Sequence, residues 1–155
     1  MCRPGCTACC IGPFEITQLD ALRLRRGLAV LEAADPARAA AVRARAAEYV
    51  AAIGSETPVD SDGLSAVLDE VACPALDPVT GCCDLYDARP ITCRAFGPAA
   101  RMGGEAVGAC ELCYAGATAE QIAECAVDID PEGLESELIA AHGLSGTTLV
   151  AFALK

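Results

Sequence analysis

The chain has 155 residues, with 11 Lys and Arg against 22 Asp and Glu, for a formal charge of −11. That length suits one domain around one hydrophobic core. The negative balance repels phosphate backbones and anionic lipid headgroups, which argues against nucleic acid or a membrane surface as a partner. Hydrophobic residues make up 54%, but much of that share is alanine and cysteine, and only Tyr (3) and Phe (3) supply aromatic rings. Small side chains and aliphatics must therefore build the core, and an inorganic centre would help to organise it.

No stretch approaches the roughly 20 apolar residues of a membrane span. No secretory leader is visible, since cysteines stand where its basic and apolar regions would lie. The expectation is a cytoplasmic protein whose thiols stay reduced.

Cysteine dominates the chain from its start. Cys2, Cys6, Cys9 and Cys10 open it, and seven more of the 11 cysteines follow from Cys73 onward. An odd count, two adjacent pairs and no leader argue against a disulfide scaffold, because the bond demands specific Cα separations and torsions.

Ile11-Gly12-Pro13-Phe14 reads as a turn into a helical stretch capped by Thr17, with Leu19, Leu22, Leu28 and Leu31 at helical spacing. Gly27 weakens that stretch and is expected to end a first segment. Asp35-Pro36 is a helix start, with aspartate at the cap and proline at the first helical position. The next helix runs to Ile53 with Val42, Tyr49, Val50 and Ile53 on one face, and Gly54 closes it. Arg38, Arg43 and Arg45 read as its solvated side.

Ser55 to Gly63 reads as a polar turn, and Gly63 to Ala72 as a short helix or an extended entry into Cys73. Cys73 to Cys113 shows no sustained period and reads as loops and short turns. Thr118-Ala119-Glu120-Gln121 opens a helix through Cys125. Asp130-Pro131 repeats the Asp-Pro signal for a helix to about Ala141, and Thr147 to Leu154 is a strand or a docked last turn. The predicted architecture is mainly α: one domain over 1–155, with helices at about 15–53 and 118–142 around an irregular, cysteine-rich metal-binding layer in segments 2–10 and 73–113.

Cys6-x-x-Cys9 and Cys110-x-x-Cys113 each let two thiolates turn from one tight loop onto a single metal at roughly 2.3 Å. Gly5 and Gly108 supply backbone freedom beside them. A redox dithiol would sit in a βαβ pattern, and none precedes Cys6. Thiolate-rich sites suit zinc, iron–sulfur clusters or cuprous copper rather than magnesium or calcium. The lone His142, at a helix end before Gly143, reads as a surface or capping residue.

The most specific segment lies between the two pairs. It contains Cys73-Pro-Ala-Leu, then Cys83-Asp-Leu-Tyr86, then Arg89-Pro90-Ile-Thr-Cys93-Arg94-Ala-Phe96. With Cys2-x3-Cys6-x2-Cys9-Cys10, it resembles the cysteine-cluster family of the YkgJ type, described as a zinc- or iron-chelating domain. The resemblance implies metal ligation by Cys2, Cys6, Cys9, Cys10, Cys73, Cys83 and Cys93, with one of Cys110 or Cys113. It also favours an iron–sulfur cluster, 4Fe-4S or larger, over the zinc alternative. Some larger relatives methylate flagellin lysines, but this chain shows no cosubstrate fingerprint.

Arg89 and Arg94 are candidates to hydrogen-bond thiolates or cluster sulfides, or else to pair with carboxylates. Tyr86 and Phe96 read as shields against water, and Cys82 and Cys125 as buried small hydrophobes. The function expected is a metal-binding protein whose partner is the metal ion or cluster. The alternatives are a metal-dependent redox or methyl-transfer enzyme and a metal storage or delivery protein.

Overall fold

A computed structural model describes residues 5–53 and 71–155. Cys2, the closing Gly54 and most of the stretch between Ser55 and Ala72 lie outside the described residues. Among the described residues the protein is mainly helical with two small sheets. Strand β1 (Glu15–Thr17) leads into α1 (Gln18–Ala34), and α2 (Pro36–Ile53) follows after the single residue Asp35. Then come α3 (Ile91–Ala95), β2 (Ala100–Met102), β3 (Glu105–Ala106), α4 (Ala119–Glu124), β4 (Val127–Ile129), α5 (Leu134–Ala141), β5 (Thr147–Leu149) and α6 (Val150–Leu154).

The local signals for α1 and α2 operate as the sequence suggests. The Thr17 hydroxyl accepts the Asp20 N–H at 3.2 Å, and the Asp35 carboxylate accepts that of Arg38 at 3.1 Å. Each satisfies one of the donors that a helix start leaves unpaired. The one-residue joint turns the chain into a hairpin of two helices, latched on its outer side by Arg43 and Glu32 at 3.0 Å.

The core lies where α1, α2 and α6 meet. Ala21, Leu24 and Leu28 face Ala39, Val42 and Ala46, with Val150, Ala153 and Leu154 filling the third side. The buried stripe of α1 thus runs through Leu24, while Leu22 is exposed. Full burial of an aliphatic side chain such as Leu24 contributes about 2 kcal/mol. Alanines at the contacts bring the helices close, so a core poor in aromatic rings can still be dense.

Gly27 does not end a segment; α1 runs through it without interruption. A Cβ at Gly27 would strike the Cβ of Ala88, in the short 3-10 turn Tyr86–Ala88. Close packing of that turn against the helix, not flexibility, is what requires glycine here.

The C-terminal tail is both strand and helix turn. β5 pairs antiparallel with β1, Glu15 opposite Leu149 and Thr17 opposite Thr147, and α6 then drops into the core. A separate sheet in the order β3-β2-β4 pairs β2 antiparallel with β3 and parallel with β4. The Asp130-Pro131 signal is displaced, since α5 begins only at Leu134. The Asp130 carboxylate still caps it from upstream, accepting the N–H groups of Leu134 at 2.7 Å and Glu135 at 2.9 Å. Thr118 and Gln121 form a reciprocal capping box at α4.

Candidate metal centre

The first cysteine segment and the second are joined by backbone. Cys73 donates its N–H to the Cys10 carbonyl at 2.7 Å, and Gly12 donates to the Val71 carbonyl at 2.9 Å. Cys6 precedes a 3-10 turn, Ala8–Cys10, that contains Cys9 and Cys10. Residues 73–84 form a compact loop with an isolated bridge between Leu76 and Cys83. Its tip is tied by the Asp77 carboxylate, which accepts from the N–H groups of Val79 and Thr80. The Thr80 hydroxyl first, and then these N–H donors, hold the Asp77 carboxyl below its ordinary value.

Gly81 and Gly5 touch across the two segments. Both have positive φ, and a Cβ at Gly81 would come within 3.2 Å of the Gly5 Cα. Glycine allows both the left-handed backbone and the approach.

Cys93 comes from α3, whose start is held from outside. The Asp20 carboxylate, 4% exposed on α1, accepts the Ile91 N–H at 3.0 Å. It fixes the first turn of a five-residue helix that has no cap of its own. Desolvation raises the Asp20 carboxyl above its usual value, with the Ile91 N–H opposing and the nearby Glu135 adding to the rise.

Asp84, next to Cys83, anchors the loop to α2. Its carboxylate, 3% exposed, accepts from Arg38 and from Arg45, each at 2.6 Å, while Arg45 Nε donates to the Pro74 carbonyl at 2.8 Å. Arg45, 24% exposed, is therefore not part of a solvated face, and Arg38, 55% exposed, binds Asp84 while remaining largely in water. They clamp the residues beside Cys73 and Cys83. Asp84 stands next to a cysteine, and the two arginines share a helix face at a spacing of seven, which is the signal in the sequence that was available.

A cavity of about 440 Å³ opens where these segments meet. Cys6, Cys9, Cys10, Cys73, Cys83 and Cys93 all line it, and so does Cys82. Cys82 is exposed rather than buried, with its thiol 3.7 Å from the Thr80 carbonyl. Phe14, Leu24, Leu85 and Val150 form an apolar wall that no cysteine pattern discloses. Among the described residues no three Cys, His, Asp or Glu donors are drawn into one metal-holding group; the thiols ring a space instead of meeting at a point.

Burial, with neighbouring Cys9, Cys73 and Cys83 adding to it, pushes the Cys10 thiol up to about 12. Burial likewise raises Cys73 to about 11 and Cys93 to about 12. Cys83 is raised by burial against the opposing Leu85 N–H and Arg89 charge. These thiols influence one another, which places them on one wall system.

Cys110 and Cys113 line no part of this cavity. They share a turn in which Cys113 donates its N–H to the Cys110 carbonyl at 2.9 Å. Backbone N–H groups of Cys113 and Leu112 hold the Cys110 thiol below its ordinary value. Cys125 is exposed at the end of α4, not buried, and His142 is exposed at the end of α5.

Arg94 donates to the backbone carbonyls of Arg89 at 3.0 Å and Asp87 at 2.7 Å, so it fixes the turn before α3. Arg89 donates Nε to the Tyr86 carbonyl at 3.1 Å and stacks its guanidinium 3.7 Å from the Tyr86 ring centre. Arg89, Tyr86 and Pro90 line the cavity; the half-exposed Phe96 does not.

Clustered soft donors from two sequence segments, set in a cavity by a helical scaffold, are the layout of a thiol-based metal-chelating domain. The chain belongs to the CxxCxxCC family, described as a "Putative zinc- or iron-chelating domain", whose family model matches residues 1–113. No curated protein and no solved structure matches the chain. Residues beyond the match complete the site nonetheless, because Val150 donates its N–H to the Phe14 carbonyl at 3.0 Å and stands with it on the cavity wall. Among the described residues no helix is long and apolar enough to cross a membrane.

Proposed function

We propose that this protein holds a polynuclear iron–sulfur centre through Cys6, Cys9, Cys10, Cys73, Cys83 and Cys93. The observation that carries the reading is the shared cavity: these six thiols, from both segments, and the exposed Cys82 line about 440 Å³. A single zinc ion takes four thiolates, fewer than the cavity offers, and the surplus favours a polynuclear centre. Iron–sulfur clusters use thiolates at irregular spacing, as here. Cys82 also lines the cavity but is exposed, and Cys110 with Cys113 stands apart from this set.

The chain acts as one domain, in a reducing cytoplasm, with metal rather than nucleic acid as its partner; its charge of −11 supports the last point. Anaerobic purification with elemental analysis and a visible spectrum tests the reading. Iron with acid-labile sulfide and a broad absorption bleached by dithionite is the expected result. A colourless protein with stoichiometric zinc would replace iron–sulfur by the zinc alternative.

A further inference from the structure

Cys110 and Cys113 form a pair outside the cavity, in one turn closed by the Cys113 N–H on the Cys110 carbonyl at 2.9 Å. A four-residue turn of this kind keeps its end Cα atoms within about 7 Å. A disulfide spans Cα separations of about 4.4–6.8 Å. The two side chains already meet, since the Cys113 thiol donates to the Cys110 sulfur. Closing a bond between them therefore asks little of the backbone.

The turn is mounted on the chain that follows α3. Cys110 donates its N–H to the Gly97 carbonyl at 3.2 Å, and the Tyr114 hydroxyl accepts the Ala99 N–H at 2.8 Å. Cys113 is exposed and Cys110 half-buried, so a small reactant reaches the pair from solvent. Backbone N–H groups of Cys113 and Leu112 also point at the Cys110 sulfur. Such donors favour the thiolate, which is the nucleophile of thiol chemistry.

We propose that Cys110 and Cys113 form a thiol–disulfide exchange site whose co-reactant is a low-molecular-weight disulfide. The Cys110 thiolate attacks one sulfur of that disulfide, forming a mixed disulfide and releasing one thiolate. Cys113 gives up its proton, attacks the Cys110 sulfur and expels the second thiolate. The protein dithiol is oxidised by two electrons, the small disulfide is reduced to two thiols, and the two cysteine protons end on them. A transient bond of this kind is what a reducing compartment allows. The inference does not depend on which metal the cavity holds.

The test is anaerobic incubation of the protein as purified with oxidised glutathione, then alkylation of free thiols and mass spectrometry. Cleavage after glutamate is the informative digest: Glu111 lies between the two cysteines, and Glu120 and Glu124 separate them from Cys125. A Cys110–Cys113 bond then joins two fragments, and reduced glutathione should reopen it. Cys113→Ser should instead retain glutathione on Cys110. Cys110→Ser should slow the reaction of this segment at least about tenfold, because the remaining thiol lacks those N–H donors. Metal content of the same samples should be unchanged in both variants.

Reaction at other thiols while this pair stays free would overturn the proposal, as would equal rates with and without Cys110. A bond that reduced glutathione leaves intact would make the pair structural and sink the exchange reading. Loss of metal in either variant would also overturn it, since the pair would then be ligands of the centre.

Discussion

Cys73 donates its backbone N–H to the carbonyl of Cys10 at 2.7 Å. This bond closes a loop of more than sixty residues, and α1 and α2 are the body of that loop. The two cysteine segments are thus not brought together by a metal alone. Backbone pairing, the Gly5–Gly81 contact and the helical hairpin already hold them in register.

Cysteines that line the cavity should differ from those that do not. Cys10→Ser, Cys73→Ser, Cys83→Ser and Cys93→Ser should each lower metal affinity by more than about tenfold, since even supporting residues of a metal site cost that much. Cys125→Ser, exposed and remote from the cavity, should leave metal content unchanged. Elemental analysis of the purified variants checks both. Equal loss in Cys125→Ser would refute the assignment.

Asp84 should matter for stability as well as for the site. Asp84→Ala leaves Arg45, 24% exposed, facing a space without its carboxylate. Breaking a buried pair from one side costs about 3 kcal/mol. Denaturant unfolding should show a loss of this order for Asp84→Ala and a smaller one for Arg38→Ala, whose side chain is 55% exposed.

Gly27→Ala would ordinarily gain about 1 kcal/mol of helix propensity. Here the new methyl meets Ala88, and overpacking of this kind costs about 1–3 kcal/mol. The expected outcome is a net loss of thermal stability. Ala88→Gly in the same chain should recover it, because the double variant only moves the methyl across the contact.

Asp20 gives the protein a pH signature. Its carboxyl is raised above 3.8 in the folded chain, chiefly by burial. Between 3.8 and that raised value the folded state holds the proton and the unfolded state does not. Its stabilising contribution is therefore fully present below 3.8 and is lost as pH rises through the folded value. Asp20→Asn keeps an oxygen for the Ile91 N–H but cannot ionise. Unfolding measured across acidic pH should show that this decline disappears. A wild-type slope in the variant would exclude Asp20 as its source.

Much of the helical scaffold was legible because its signals are local. Thr17, Asp35 and Thr118 cap helices where their positions suggest, each by a side-chain oxygen reaching N–H groups a few residues on. Asp130 shows the limit of that logic. Its carboxylate caps α5, but the left-handed Gly133 delays the helix to Leu134. Gly27 shows the opposite error: its local cost is real, yet a contact with a residue sixty positions away decides the outcome.

By itself the sequence determined the chemistry: eleven thiols, their soft-metal preference, and the motif order that marks the family. Side-chain identity and short spacing carry that information without reference to a fold. Only the tertiary structure decided which thiols share a cavity. It placed Cys82 on the wall and Cys110 and Cys113 off it, supplied an apolar wall from Phe14 and Val150, and joined Arg38 and Arg45 to Asp84. Those facts depend on contacts between distant segments, and the free energy of such contacts comes from packing that no local pattern encodes.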